Sequence, residues 1–241
     1  MEYLNNGGGM TSDERFYGLN DMVKAGCGDC EGCSACCRGM GASIVLNPYD
    51  IWLLTSNLKT SFEGLMAGKI ELNVVNGIIL PNLKMVKNEE RCAFLNEENR
   101  CGIHSFRPGI CRIFPLGRDY GGRGIRYFLL DGACRKENKT KVKVRRWIDT
   151  ENVGRNEEFL VSWHSFLKGL QAQIMQSGDE TWVKNANMYV LRKFYLQPYD
   201  READFYGQFY TRLKKAKEEL EVKGDSGLGI SVEPDLGKET D

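Results

Sequence analysis

A chain of 241 residues with 33 basic and 33 acidic side chains has no formal net charge at pH 7, so no global field draws it to nucleic acid or to an anionic membrane. Its 41% hydrophobic content is enough for a core, but the longest apolar runs, at 51–54 and 127–130, are far too short to span a bilayer. The opening MEYLNNGGGM has no apolar stretch of the kind a secretory leader needs, so neither nucleic acid nor membrane is expected as a partner and the expected location is the cytoplasm.

Residues 1–13 are rich in Gly and Asn and are expected to be disordered. A cysteine stretch follows, Cys27-Gly-Asp-Cys30-Glu-Gly-Cys33-Ser-Ala-Cys36-Cys37-Arg38. Its small interleaved residues allow the backbone to wrap closely around a ligand. Residues 43–46 form a short strand candidate. Asn47-Pro48 reads as an N-cap with proline at the first helical position, opening a helix that carries Ile51, Leu54 and Leu58 inward. Thr60 and Glu63 fit a capping box for a second, short helix.

Three hairpins are predicted next. Segments 70–75 and 78–80 flank Asn76-Gly77, a strong turn signal. Segments 91–95 and 100–103 flank residues 96–99, and segments 114–118 and 125–130 flank a glycine-rich loop. Residues 141–147 suit a strand or an extended connector. From Asn156 onward the apolar pattern is helical: Phe159, Trp163, Phe166, Leu170 and Ile174 recur at three and four. A second helix carries Ala186, Val190 and Phe194 and ends before Pro198. A third carries Phe205, Phe209 and Leu213 and ends near Gly224. The expected architecture is α+β, with small hairpins and short helices around a cysteine-ligated metal centre, followed by about three C-terminal helices. The boundaries read as a metal-binding domain over 14–138, a helical region over 139–224 packed on it, and a disordered tail over 225–241.

All nine cysteines precede residue 135. In a reducing compartment such clustering points to metal ligation before disulfides, and an odd count fits a disulfide framework poorly. Cys27, Cys30, Cys33 and Cys37 reproduce a ferredoxin spacing, with Arg38 where that motif has proline. Cys30, Cys33 and either Cys36 or Cys37 with one distant cysteine serve equally well. Structural zinc usually draws on two separated pairs. Here one group is overfull and the others stand singly, which favours an iron–sulfur cluster, [4Fe–4S], over zinc. Arg38, Arg91, Arg100, Arg107, Arg112 and Arg135 lie within a few residues of a cysteine, where guanidinium donors offset thiolate charge. Arg38, Arg107 and Arg112 are the candidates for contacting the cofactor. His104, three residues after Cys101, is weighed between ligation and a backbone hydrogen bond.

The motifs Cys30-x2-Cys33-x2-Cys36-Cys37-Arg38, Cys92-x-Phe94-Leu95, Cys101-x-Ile103-His104 and Arg107-Pro108-x2-Cys111-Arg112-x-Phe114-Pro115 occur in that order. They resemble the YkgJ-type cysteine-cluster family, described as zinc- or iron-chelating and related to the flagellin lysine N-methylases. The resemblance implies a metal set of Cys30, Cys33, Cys36, Cys37, Cys92, Cys101, Cys111 and Cys134, and leaves Cys27 outside it. Three functions follow: a metal-binding protein with a redox, sensing or metal-handling role, a cluster-dependent protein methyltransferase, or a zinc-stabilised interaction scaffold. The first has the most support, because no glycine-rich nucleotide fingerprint is present. The sequence does not specify a protein partner or substrate.

Overall fold

The computed structural model describes residues 15–28, 30, 33–86, 90–121 and 124–222; the expectations for 1–13 and 225–241 lie outside that set. The architecture is α+β. Among the described residues, one sheet has three strands and three have two, all paired antiparallel. Strands β1 (Phe16–Tyr17) and β2 (Met22–Gly26) are each completed by chain from far downstream. A 3-10 turn, Ala35–Cys37, closes the cysteine stretch.

Helix α1 (Pro48–Leu58) starts where the sequence predicts. Asn47 Oδ1 accepts from Asp50 N at 2.9 Å, and Asp50 Oδ2 accepts from Asn47 N at 3.0 Å, a reciprocal capping box. Ile51 and Leu54 are buried, but Leu58 is 38% exposed. It is the last helical residue, and Lys59, at φ 52°, turns the chain away. Helix α2 (Phe62–Met66) starts from Ser61, one residue beyond the expected cap, with the Ser61 hydroxyl accepting from Gly64 N at 3.2 Å. Thr60 is taken up by the end of α1, where its N–H bonds to Thr55 O.

Strands β3 (Ile70–Val75) and β4 (Ile78–Leu83) form the first hairpin. Asn76 and Gly77 both have positive φ, as a two-residue turn of this hand requires. Segment 43–46 runs along β4 with a single bridge, Val45 to Asn82, in place of the expected strand. Leu46 N bonds to Pro81 O, and Leu83 N to Ile44 O. The second expected hairpin shrinks to a turn with one bridge, Leu95 to Cys101. Its first arm is used elsewhere, since β5 (Met85–Val86) pairs with β6 (Arg91–Cys92). After a 3-10 turn, His104–Phe106, comes the short helix α3 (Gly109–Ile113). The third hairpin, β7 (Leu116–Asp119) with β8 (Arg126–Leu129), is where it is expected, and β1 extends it.

Strand β9 (Thr140–Lys143) pairs with β2 and leads into α4 (Val144–Ile148). Val23, Ala25, Ile113, Leu116, Tyr127, Val144 and Ile148 form a small apolar cluster beneath them. Three longer helices follow: α5 (Val153–Gln176), α6 (Glu180–Leu191) continued by a π turn at Arg192–Leu196, and α7 (Phe205–Glu219). They share one core with α1, α2 and the β3–β4 hairpin. Phe159, Trp163, Phe166 and Leu170 of α5 are buried in it, as their spacing predicts. Polar ties cross the same boundary. Asn187 of α6 accepts from Ile79 N at 2.6 Å and donates to Gly77 O at 3.1 Å, and the Tyr195 hydroxyl donates to Leu46 O at 3.1 Å. Among the described residues no helix is long and apolar enough to cross a membrane.

Candidate metal centre

Five separate segments carry the thiols. Cys27 follows directly on β2, and a tight turn through Gly28 and Cys30, both at positive φ, folds the chain back. The Cys27 and Cys30 sulfurs lie 3.5 Å apart. Cys33 N donates to Cys30 O at 3.0 Å, and Cys36 and Cys37 sit on the 3-10 turn. Cys92 is on β6, Cys101 at the bridge to Leu95, and Cys111 on α3. Cys134 lies beyond β8, where its carbonyl accepts from Lys139 Nζ at 3.0 Å.

The cysteine stretch is docked onto the Cys92 strand by the bridge from Arg38 to Arg91 and by Gly39 N bonding to Glu90 O at 2.7 Å. Helix α3 is too short to hold itself. Its start is fixed by Asp50, only 2% exposed, whose Oδ1 accepts from Gly109 N at 2.8 Å. Asp50 thus ties the Cys111 helix to the first turn of α1. Cysteine spacing alone does not single it out. Its signal was present in the cap itself, an acidic residue three positions after Asn47.

The thiols of Cys36, Cys37, Cys92, Cys101 and Cys111 are close enough to act on one another as like charges. Burial, then this repulsion among other contributions, raises Cys92, Cys101 and, most strongly, Cys111. Cys36 differs: the hydrogen bond with Cys37 is the main cause holding it at about 7, against burial and with help from Arg107. The same hydrogen bond pushes Cys37 up. Cys30 is pushed up to about 12 by burial, then by its contact with Cys27, and it also feels Cys36. The fold therefore gathers five of the eight expected metal-set cysteines, with Cys30 at their margin.

The arginines divide by task. Arg38 Nη2 donates to Asn99 Oδ1 at 2.5 Å, Arg91 Nη1 to Leu95 O at 2.7 Å and Arg100 Nη1 to Cys30 O at 3.0 Å. Arg38 and Arg100 tie the cysteine loops together, and Arg91 braces its own turn. Arg112 turns away from the thiols: it is 9% exposed and donates to Ser105 O at 2.8 Å and Asp149 O at 2.9 Å. Arg107 acts on three of the thiols, lowering Cys30, Cys36 and Cys101, while Lys69 lowers Cys92 and Arg100 adds to Arg107 at Cys101. Arg107 Nη1 lies 2.6 Å from His104 Nε2, which engages the histidine nitrogen that a metal would otherwise use. Its Nε is buried and has no hydrogen-bond partner among the described residues.

Among the described residues, no three of the His, Cys, Asp and Glu side chains stand in an arrangement ready to hold a metal ion. The chain supplies a donor set of the right chemistry without a closed coordination polyhedron. Clustered thiols suit zinc and iron–sulfur centres, and the orphaned Arg107 N–H is a donor suited to a thiolate or sulfide. The fold and the site define a cysteine-rich domain of metal-binding class joined through a common core to three helices. Residues 29–144, just under half of the chain, match the family model CxxCxxCC, described as a "Putative zinc- or iron-chelating domain". That match bears out the resemblance to a cysteine-cluster family over this segment, and α5, α6 and α7 lie beyond it. Comparison with curated proteins and with solved structures gives no match.

Proposed function

We propose that this protein holds an iron–sulfur cluster, of the [4Fe–4S] type, in a redox, sensing or metal-handling role. One observation carries the reading: Cys36, Cys37, Cys92, Cys101 and Cys111 arrive from distant segments at one site, near enough for each thiolate, once formed, to raise its neighbours. Forming several thiolates there is costly until a bound metal offsets their charge. Bound there, a cluster supplies one-electron transfer chemistry. The chain's own residues do the rest. Cys36, held near neutrality by Cys37, is a thiolate donor available at physiological pH. Arg107 offsets charge from the thiol side, and the Arg38 and Arg100 ties keep the donor loops in register.

Zinc is the second reading. The gathered thiols, with Cys30 at their margin, are enough to supply the four that a structural zinc takes. Anaerobic purification followed by iron, sulfide and zinc analysis, with an absorption spectrum, decides between them. A coloured protein with iron and acid-labile sulfide in equal amounts is the expected result. A colourless protein with stoichiometric zinc and no iron sinks the cluster.

A further inference from the structure

Of the nine cysteines, Cys27 alone lies outside the matched segment 29–144, yet its sulfur stands 3.5 Å from that of Cys30. We propose that Cys27 and Cys30 form a reversible dithiol–disulfide pair, and that closing it withdraws Cys30 from the metal-binding set, so that metal retention depends on redox state. The withdrawal rests on the metal-binding reading above.

The pair is held for this reaction from both ends. Cys27 leaves β2, which is pinned by its antiparallel pairing with β9. The packing at that junction is close: a Cβ on Gly26 would fall 2.3 Å from Thr140 Oγ1. Cys30 is held by its carbonyl, which accepts from Cys33 N and from Arg100 Nη1, both at 3.0 Å. Between these anchors the chain turns through positive φ at Gly28 and at Cys30 itself. A disulfide needs the sulfurs at about 2.0 Å. Side-chain rotation supplies most of the remaining approach, with the strand and the Arg100 tie left in place. A C-x2-C spacing is also the one in which reversible disulfides commonly form.

The reaction balances by exchange with a low-molecular-weight disulfide. One thiol loses its proton and attacks, forming a mixed disulfide and releasing one small thiol. The second protein thiol then displaces the other, so two protein thiols are oxidised to one disulfide while the small disulfide is reduced to two thiols. Cys30 in that state has no lone thiolate to give to a metal, and the remaining set loses a donor at its margin.

The test uses the full chain loaded with zinc alone, exposed to glutathione disulfide while a chromophoric chelator reports metal release. Proteolysis before Asp29 separates Cys27 from Cys30, so their disulfide appears as two linked peptides by mass spectrometry. The expected result is that linkage, with zinc lost about tenfold faster from the wild type than from Cys27→Ser. Cys27→Ala, checked for native circular dichroism, serves as a second variant and behaves like Cys27→Ser. Linkage through other cysteines, equal release from wild type and variant, or a loss of bound zinc in Cys27→Ser under reducing conditions overturns the proposal. A chain that takes up neither zinc nor, on anaerobic reconstitution with iron and sulfide, a cluster overturns the metal-binding reading and the withdrawal with it. That result is distinguishable from failure of the pair alone, in which zinc binds and both proteins release it at the same rate.

Discussion

Around Phe209, fully buried, the rings of Phe159, Trp163, Phe194, Phe205 and Tyr210 have centroids between 4.6 and 6.1 Å away. Around Cys36 and Cys37 the shell is thinner: their turn buries no residue, Cys37 packs only partly against that core, and the chain nearby is placed by Arg38 and Arg100 reaching oxygens on other loops. The aromatic region folds by removing apolar surface from water, with ring contacts adding to it. The cysteine region has polar ties, each contributing about 1 kcal/mol net, and donors that gain most once a metal is bound. One chain thus carries two regions whose order has different physical causes.

Metal removal should separate them most. Structural metal contributes on the order of 10 kcal/mol in small cysteine sites. Chelation is expected to raise amide hydrogen exchange sharply through residues 33–41 and 91–111, while the buried stretch of α5 around Phe159 to Leu170 keeps its protection. Equal loss in both regions would show that the helices depend on the metal as well. The converse cut is Phe209→Ala, which removes a fully buried ring and should cost about 3–5 kcal/mol in denaturant unfolding. The folded fraction should keep its metal stoichiometry, since the rings around Phe209 all belong to the C-terminal helical region.

Arg112→Ala probes the seam. Its guanidinium joins the His104–Phe106 turn to the end of α4 through two carbonyls, on Ser105 and Asp149. Losing both removes two partly buried, charge-assisted hydrogen bonds, at about 2–3 kcal/mol. Arg112→Lys restores charge without the fork and should recover only part of this in thermal unfolding. Were Arg112 instead a direct partner of the cofactor, its loss would change the absorption spectrum before it changed stability.

The helices were readable because their signal is local and repeated. Phe159, Trp163, Phe166 and Leu170 mark a buried face by spacing alone, and Asn76-Gly77 fixes a turn by backbone conformation alone. The cysteine motifs were equally plain as donors. Their grouping was not, because it depends on pairings distant in sequence: β2 with β9, β6 with β5, and Asp50 with Gly109. Nothing in residues 22–26 names a partner strand more than a hundred positions away. The arginines show the same limit from the other side. Proximity in sequence to a cysteine put Arg107 and Arg112 on equal terms, whereas the fold turns Arg107 toward the sulfurs and Arg112 toward backbone carbonyls.

The smallest effect lies wholly on the helical side and carries a pH signature that the metal region should not share. Asp204 caps α7, its Oδ2 accepting from Gly207 N at 2.7 Å and from Arg155 Nη2 at 2.8 Å. Burial pushes its carboxyl up, but the Gly207 N–H and Arg155 outweigh it and leave it below the usual carboxylate range. A carboxyl depressed in the folded state binds its proton less tightly there than in the unfolded chain. Its contribution is therefore present above the ordinary carboxylate pKa and is lost as the pH falls through the folded value. Because the side chain is half exposed, solvent screens the ion pair and the cap dominates. Asp204→Ala should cost about 1 kcal/mol near neutral pH, and the gap between variant and wild type in urea unfolding should close as the pH drops through the acidic range. Asp204→Asn keeps a capping oxygen and should retain most of the stability with little pH dependence. If its loss instead matched that of Ala, the charge on Asp204 would outweigh its capping oxygen, and helix α7 would rest on the Arg155 pair more than on its cap.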